Sequence, residues 1–147
     1  MASFVASKSK NLEGSIKVPG DKSISHRSIM LGSIANGETH ISGFLQGEDS
    51  LATLNAFKEM GVNIKRNGSN VIIKVVGMHG LQEPLKPLDL GNSGTSIRLM
   101  SGLLSAQSFN TELTGDDSLS KRPMARVIEP LTPVSYTHLT LPTKRIV

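Results

Sequence analysis

The chain has 147 residues, 37% of them hydrophobic and in no long apolar run, so it can bury one core; neither a transmembrane helix nor a signal peptide is expected, and the expected compartment is the cytoplasm. With no cysteine there is no disulfide framework or thiolate metal site, and His26, His40, His79 and His138 show no ligand spacing. The net charge of +4 includes Lys144 and Arg145; setting these aside leaves 14 basic against 12 acidic residues, and with one tyrosine, four phenylalanines and no basic run that excludes a nucleic-acid surface and favours small acidic ligands.

In chain order, the first element is a strand over residues 14–18. A tight turn at Pro19-Gly20-Asp21 leads into a helix over 23–35, with Ile24, Leu31, Ile34 and Ala35 as its apolar stripe and Asn36-Gly37 as its stop. A strand at 39–44 follows. The next helix, over 49–60, uses Leu51, Leu54, Ala56, Phe57 and Met60 and closes at Gly61. Strands at 62–65 and 70–75 then form a hairpin across Asn67-Gly68. The order is βαβαββ.

The pattern starts again in the second half. A short strand at 88–90, a helix over 95–106, a strand at 110–114 and a helix opening near Met124 repeat the first βαβα. Ser25-His26-Arg27 matches Ser96-Ile97-Arg98, and Gly47-Glu48-Asp49-Ser50-Leu51 matches Gly115-Asp116-Asp117-Ser118-Leu119, at offsets of 71 and 68. The chain stops partway through its second unit.

Both units open with a turn suited to holding an anion. Gly91-Asn92-Ser93-Gly94 lies between a strand and a helix that begins Thr95-Ser96-Ile97-Arg98, where free N–H groups and the positive end of the helix dipole meet small residues. Upstream, Gly20-Asp21-Lys22-Ser23 does the same and brings Lys22 and Arg27 to its helix start. Lys22 is a compact mobile cation, whereas Arg27 and Arg122 are forks that grip an anion by two bonds. Ser23 and Arg27 are four apart and share one helix face. Spacing alone also permits a plain reading: a capped, solvated helix start at Lys22-Ser23-Arg27, a turn with an N-cap at Asn92-Ser93-Gly94, and a loop charge at Arg122 before a helix-starting Pro123. Glu48, Asp49, Asp116 and Asp117 precede helices and are expected as caps and dipole partners rather than acid-base or metal groups. His26 and His40 are expected at the surface or behind the ligand-contacting residues.

The runs Val18-Pro19-Gly20-Asp21-Lys22-Ser23-Ile24-Ser25-His26-Arg27, Leu90-Gly91-Asn92-Ser93-Gly94-Thr95-Ser96-Ile97-Arg98 and Leu119-Ser120-Lys121-Arg122-Pro123-Met124 together resemble the amino-terminal third of the 5-enolpyruvylshikimate-3-phosphate synthases. The resemblance covers about residues 12–132. It implies an α/β fold of repeated βαβαββ units in an inside-out barrel, interrupted here in the second unit. Residues 1–13 would be a tail, 14–20 a strand and hinge belonging with the other domain, and 21–132 a partial domain, with unit one at about 21–76 and an incomplete unit two at about 88–132. The implied reaction transfers an enolpyruvyl group from phosphoenolpyruvate to the 5-hydroxyl of shikimate-3-phosphate, with no metal or organic cofactor. Glyphosate is the implied inhibitor, and a monomer without nucleic-acid or membrane partners the implied whole.

By the same resemblance Lys22 lies between the two substrates and is the catalytic candidate here. Ser23 and Arg27 hold shikimate-3-phosphate, Asn92, Gly94 and Arg122 serve phosphoenolpyruvate, and Thr95 and Arg98 support the turn, Arg98 by hydrogen bonding. Leu99 stands where many plant and enteric members have proline, which bears on the response to glyphosate. Two other readings remain: a relative of the UDP-N-acetylglucosamine enolpyruvyl transferases, which the Lys22 to Arg27 run fits less well, and a noncatalytic phosphate-binding module. Residues 133–147 fall outside the resemblance. They read like the in-frame translation of a sequencing adaptor, so natural sequence is expected to stop at Pro133 or Val134.

Overall fold

The computed structural model describes residues 3–8 and 11–133. The segment from Val134 on, with His138, Lys144 and Arg145, lies outside them. Among the described residues five helices and five strands are formed: α1 (Lys22–Ile34), β1 (Glu38–Ile41), α2 (Glu48–Glu59), β2 (Asn63–Asn67), β3 (Asn70–Lys74), β4 (Leu88–Asp89), α3 (Gly94–Leu104), β5 (Leu113–Thr114), α4 (Asp117–Ser120) and α5 (Ala125–Leu131).

β3 is the centre of the first sheet because it alternates, with Val71 and Ile73 buried and Ile72 and Lys74 outward. It pairs antiparallel with β1 on one side and β2 on the other. The hairpin turn is Gly68-Ser69, one residue beyond the expected position, since Asn67 still pairs with Asn70. α1 and α2 pack on each other and against this sheet. Ile29, Phe57, Met60 and Ile73, all fully buried, form the centre of the core. In the second unit β4 and β5 run parallel, Leu88 opposite Leu113, with α3 as the connection. α4, a single turn the sequence pattern did not reveal, follows β5. α5 carries Pro130 within its span and ends at Leu131, two residues before Pro133.

Two expectations need correction. Residues 14–18 form no strand: Ile16 and Val18 are exposed, and no ladder is made there. A lone strand leaves its backbone groups unpaired, so the segment stays irregular, and among the described residues β1 has β3 as its one ladder partner. The apolar stripe of α1 is also different. Ile24 and Leu31 are 66% and 62% exposed, while Ser25, His26, Ile29, Met30, Gly32 and Ser33 are buried. Close packing selects this face, because a Cβ on Gly32 would come within 3.0 Å of Thr39 Cγ2 and 3.1 Å of Ile73 Cδ1. Small residues let the helix axis approach the sheet; Leu31 could not take that position. The stripe of α2 is as expected, with Leu54, Ala56 and Phe57 buried and Leu51 half-buried.

Among the described residues, no helix is long and apolar enough to cross a membrane. Nor does any group of three or more His, Cys, Asp or Glu side chains there have metal-binding geometry.

Candidate functional site

α1 and α3 begin side by side, each with a side-chain cap that fixes where its first free N–H groups point. Asp21 caps α1 by accepting from Ile24 N at 2.7 Å. Ser93 caps α3 by accepting from Ser96 N at 3.2 Å. Gly91, at φ +54, turns the chain out of β4 in a conformation that L side chains rarely adopt, and its N–H donates to Asp89 Oδ1 at 2.8 Å.

Between the two helix starts lies a cavity of about 280 Å³ lined by Lys22, Asp49, Asn92, Gly94, Thr95, Arg98 and Arg122. Three cations face one carboxylate there, so the wall carries net positive charge and suits an anion. Lys22 Nζ is ion-paired with Asp49 Oδ2. Arg98 reaches back along its own helix, donating from Nη1 to Gly94 O at 3.1 Å and from Nη2 to Pro123 O at 3.3 Å. It thereby ties the α3 start to the loop that carries Arg122. Arg122 Nη2 donates to Asn92 Oδ1, and Asn92 Nδ2 donates onward to Asp116 Oδ2 at 2.8 Å.

Asp116 completes this chain as the N-cap of α4. Its Oδ1 accepts from Leu119 N at 2.7 Å, and that N–H, with further help from the Asn92 amide, holds its carboxyl below the usual carboxylate range. The charge is thus kept at the pH where it orients Asn92 and, through it, Arg122. At Gly94 the constraint is space rather than φ: a Cβ would collide with Arg122 Nη1 and lie 2.9 Å from Arg98 Nη1, so both side chains would have to swing away. The glycine lets both guanidinium groups close over the turn.

Six of the eight candidate residues therefore line one cavity: Lys22, Asn92, Gly94, Thr95, Arg98 and Arg122. Ser23 and Arg27 do not line it. Ser23 is half-buried and Arg27 exposed, both on α1 just beyond Lys22. The expected cap roles divide. Asp116 is a cap and Glu48, Asp49 and Asp117 lie in first turns of helices, but α2 has Gly47 at its N-cap with no side-chain cap bond, and Asp49 is engaged instead by Lys22. Its match to Asp117 in the internal repeat marked it as a helix start and concealed its place in the cavity wall. His40 is exposed beside Glu38, at 2.7 Å. Of the two positions expected for His26, the structure shows the one behind the cavity residues: the ring is fully buried, one turn beyond Lys22 on α1.

The model of the family described as EPSP synthase (3-phosphoshikimate 1-carboxyvinyltransferase) matches residues 6–136. The chain belongs to that family. It is 68% identical over 132 residues to the 3-phosphoshikimate 1-carboxyvinyltransferase of Ruthia magnifica subsp. Calyptogena magnifica, a match covering 90% of this chain and 30% of the relative. The enzyme of the same name from Vesicomyosocius okutanii subsp. Calyptogena okutanii is 63% identical over 131 residues, covering 89% and 30%. A solved structure of EPSP synthase from Acinetobacter baumannii superposes with a TM-score of 0.79 at 60% identity, over 82% of this chain and 27% of that one. The chain thus spans about 30% of the length of the curated relatives it matches, and its α/β units are those of the inside-out EPSP synthase fold.

Proposed function

We propose that the 147 residues carry one half of the anion-binding cleft of an enzyme that transfers the enolpyruvyl group of phosphoenolpyruvate to the 5-hydroxyl of shikimate-3-phosphate. The observation that carries this is the cavity in which Lys22, Arg98 and Arg122 converge on the Gly94 turn at the head of α3. In the reaction the methylene carbon of phosphoenolpyruvate takes a proton and becomes a methyl, the 5-hydroxyl oxygen adds to C2 as it gives up its proton, and the tetrahedral adduct expels phosphate as the methyl carbon loses a proton to restore the double bond. Each stage keeps phosphate or carboxylate charge at the site, which fixed cations and helix N–H groups stabilise once water is excluded.

In this assignment Arg122, oriented by Asn92, grips the phosphoenolpyruvate anion beside Gly94. Lys22 moves between Asp49 and the ligands, bridging both substrates. Ser23 and Arg27, outside the cavity on the continuing face of α1, meet shikimate-3-phosphate. Thr95 lines the turn and Arg98 braces it. The proton-transferring groups belong to the remainder of the whole enzyme, so the halves must close for turnover. Inhibition by glyphosate, a cytoplasmic location and a monomeric whole are parts of the same proposal.

The test is phosphate release by the full-length protein, which should require both substrates together. Arg122→Ala should lower kcat/KM on the order of a hundredfold, the scale for losing one preorganised charge-stabilising donor. Full activity in that variant, or release with phosphoenolpyruvate alone, would overturn the assignment.

A further inference from the structure

Behind the cavity, three helices meet in a buried polar cluster that neither substrate would touch. His26 Nδ1 is 2.7 Å from Thr53 Oγ1. Thr53 Oγ1 is 2.5 Å from Ser96 Oγ, which is 2.6 Å from Ser93 Oγ and 3.2 Å from His26 Nδ1. His26, Thr53, Ser93 and Ser96 are all fully buried. Two members sit one helical turn beyond a cavity residue on the same helix, His26 after Lys22 on α1 and Thr53 after Asp49 on α2. The third, Ser96, lies two residues past Gly94, and its N–H is capped by Ser93 at 3.2 Å.

We infer that His26, acting through Thr53 and Ser96, is a positioning residue that holds the Lys22, Asp49 and Gly94 portions of the cavity wall in register; this rests on the cavity being the anion site proposed above. The ring's other nitrogen supports the inference. Nε2 is buried with no hydrogen-bond partner. Leucine fills a similar volume without leaving a buried nitrogen unpaired, so packing alone would favour it. The cost is offset only if Nδ1 does something leucine cannot, and Nδ1 is the atom that joins α1 to α2 and α3. The same geometry calls for a neutral ring, since a second proton would put a charged, unpaired N–H in the interior. Each hydroxyl has one proton to donate, and a ring protonated at Nδ1 can donate to Thr53 Oγ1. Thr53 then points its one proton to Ser96 at 2.5 Å, with the Asp49 carbonyl a longer second acceptor at 3.2 Å, and Ser96 donates to Ser93, so the contacts run in one direction.

The experiment uses the full-length protein with His26→Leu, His26→Asn and Thr53→Val. It reads KM for phosphoenolpyruvate, kcat, the Kd of inorganic phosphate by calorimetry, and the thermal midpoint. His26→Leu should raise both KM and the phosphate Kd by about tenfold, the factor that corresponds to 1.4 kcal/mol, with a smaller change in kcat. His26→Asn, whose amide can take the place of Nδ1, should bring both back to within about threefold of wild type. Thr53→Val should repeat the rise from the α2 side, which keeps the test open should His26→Leu fail to fold. A lower thermal midpoint with unchanged KM and Kd in both His26→Leu and Thr53→Val would make the cluster a packing feature and overturn the inference. Failure of His26→Asn to restore affinity would do the same. If wild type binds inorganic phosphate but does not turn over, the proposed reaction fails and the phosphate affinities of the variants still decide the role of His26. If wild type binds no phosphate, both fail.

Discussion

Gly94 is pressed by two guanidinium groups, so adding one methyl has a defined consequence. The atoms a Cβ would meet, Arg122 Nη1 and Arg98 Nη1, are the ends of flexible side chains, and the fold can yield by swinging them. The cradle cannot keep its shape when they move. Gly94→Ala in the full-length enzyme should therefore raise KM for phosphoenolpyruvate, raise the inhibition constant of glyphosate more, and leave shikimate-3-phosphate nearly unchanged. Arg27→Ala, outside the cavity, should instead weaken shikimate-3-phosphate by about 1.5 to 3 kcal/mol, the range for a charged hydrogen bond. Steady-state kinetics on the pair separates the two assignments, and equal weakening of both substrates by Gly94→Ala would refute its placement. His26 gives a pH dependence. Burial pushes its pKa down, the Asp49 carboxylate opposes that and the Lys22 ammonium adds to it. A lowered value in the folded state means that the unfolded chain binds the proton more readily. Stability is thus intact above the ordinary imidazole value of about 6.5 and is lost as pH falls from there through the lowered value. The thermal midpoint of wild type should drop more between about pH 7.5 and pH 5 than that of His26→Asn, which has nothing to titrate there. Parallel curves would show that His26 is not the group responsible.

At the scale of elements, the cavity depends on α1 and α2 keeping a fixed distance from the three-stranded sheet. Phe57 on α2 and Ile73 on β3 are fully buried in that layer. Phe57→Ala should cost about 3 to 5 kcal/mol, and because Asp49 and Thr53 share its helix, loss of packing should also loosen the Lys22 end of the cavity. Chemical denaturation gives the first quantity and the Kd of inorganic phosphate the second. A cost below about 1 kcal/mol would mean that the site is not the packed core described. α3 meets α2 through the Thr53 to Ser96 contact and is held besides by its Ser93 cap, the Arg98 brace and the β4–β5 ladder. Damage to α2 should therefore reach the Gly94 turn through Ser96 and affect the Arg122 to Asn92 arm least.

For the whole molecule, the chain covers about 30% of its relatives' length and presents Ile24 and Leu31 to solvent on α1, with Arg27 exposed between them. An enzyme that works by closing charged walls around a dry site gains little from one wall. The 147-residue polypeptide by itself should show no enolpyruvyl transfer at saturating concentrations of both substrates. Turnover by protein verified free of host enzyme would refute this. Binding of shikimate-3-phosphate to it should be weak, because ordering an open half-site is not offset by contacts from the other side.

Capping residues, turn glycines and helical periodicity act over a few residues, and the sequence by itself determined what they govern: the starts of α1 and α3, the stripe of α2 and the hairpin near Gly68. Tertiary structure decided the rest. Which face of α1 is buried depends on how closely Gly32 approaches Thr39 and Ile73, residues on two different strands. That choice put His26 inside and left Ile24 and Leu31 out, against the apolar pattern. A strand at 14–18 needs a ladder partner, which no local preference supplies. Asp49 looks like any acidic first-turn residue until α2 is packed beside α1 and Lys22 reaches it. Arg122 and Asn92, 30 positions apart, become one arm of the site only when the turn after β4 and the loop after α4 are brought together, because side-chain hydrogen bonds form between neighbours in space and leave no period along the chain.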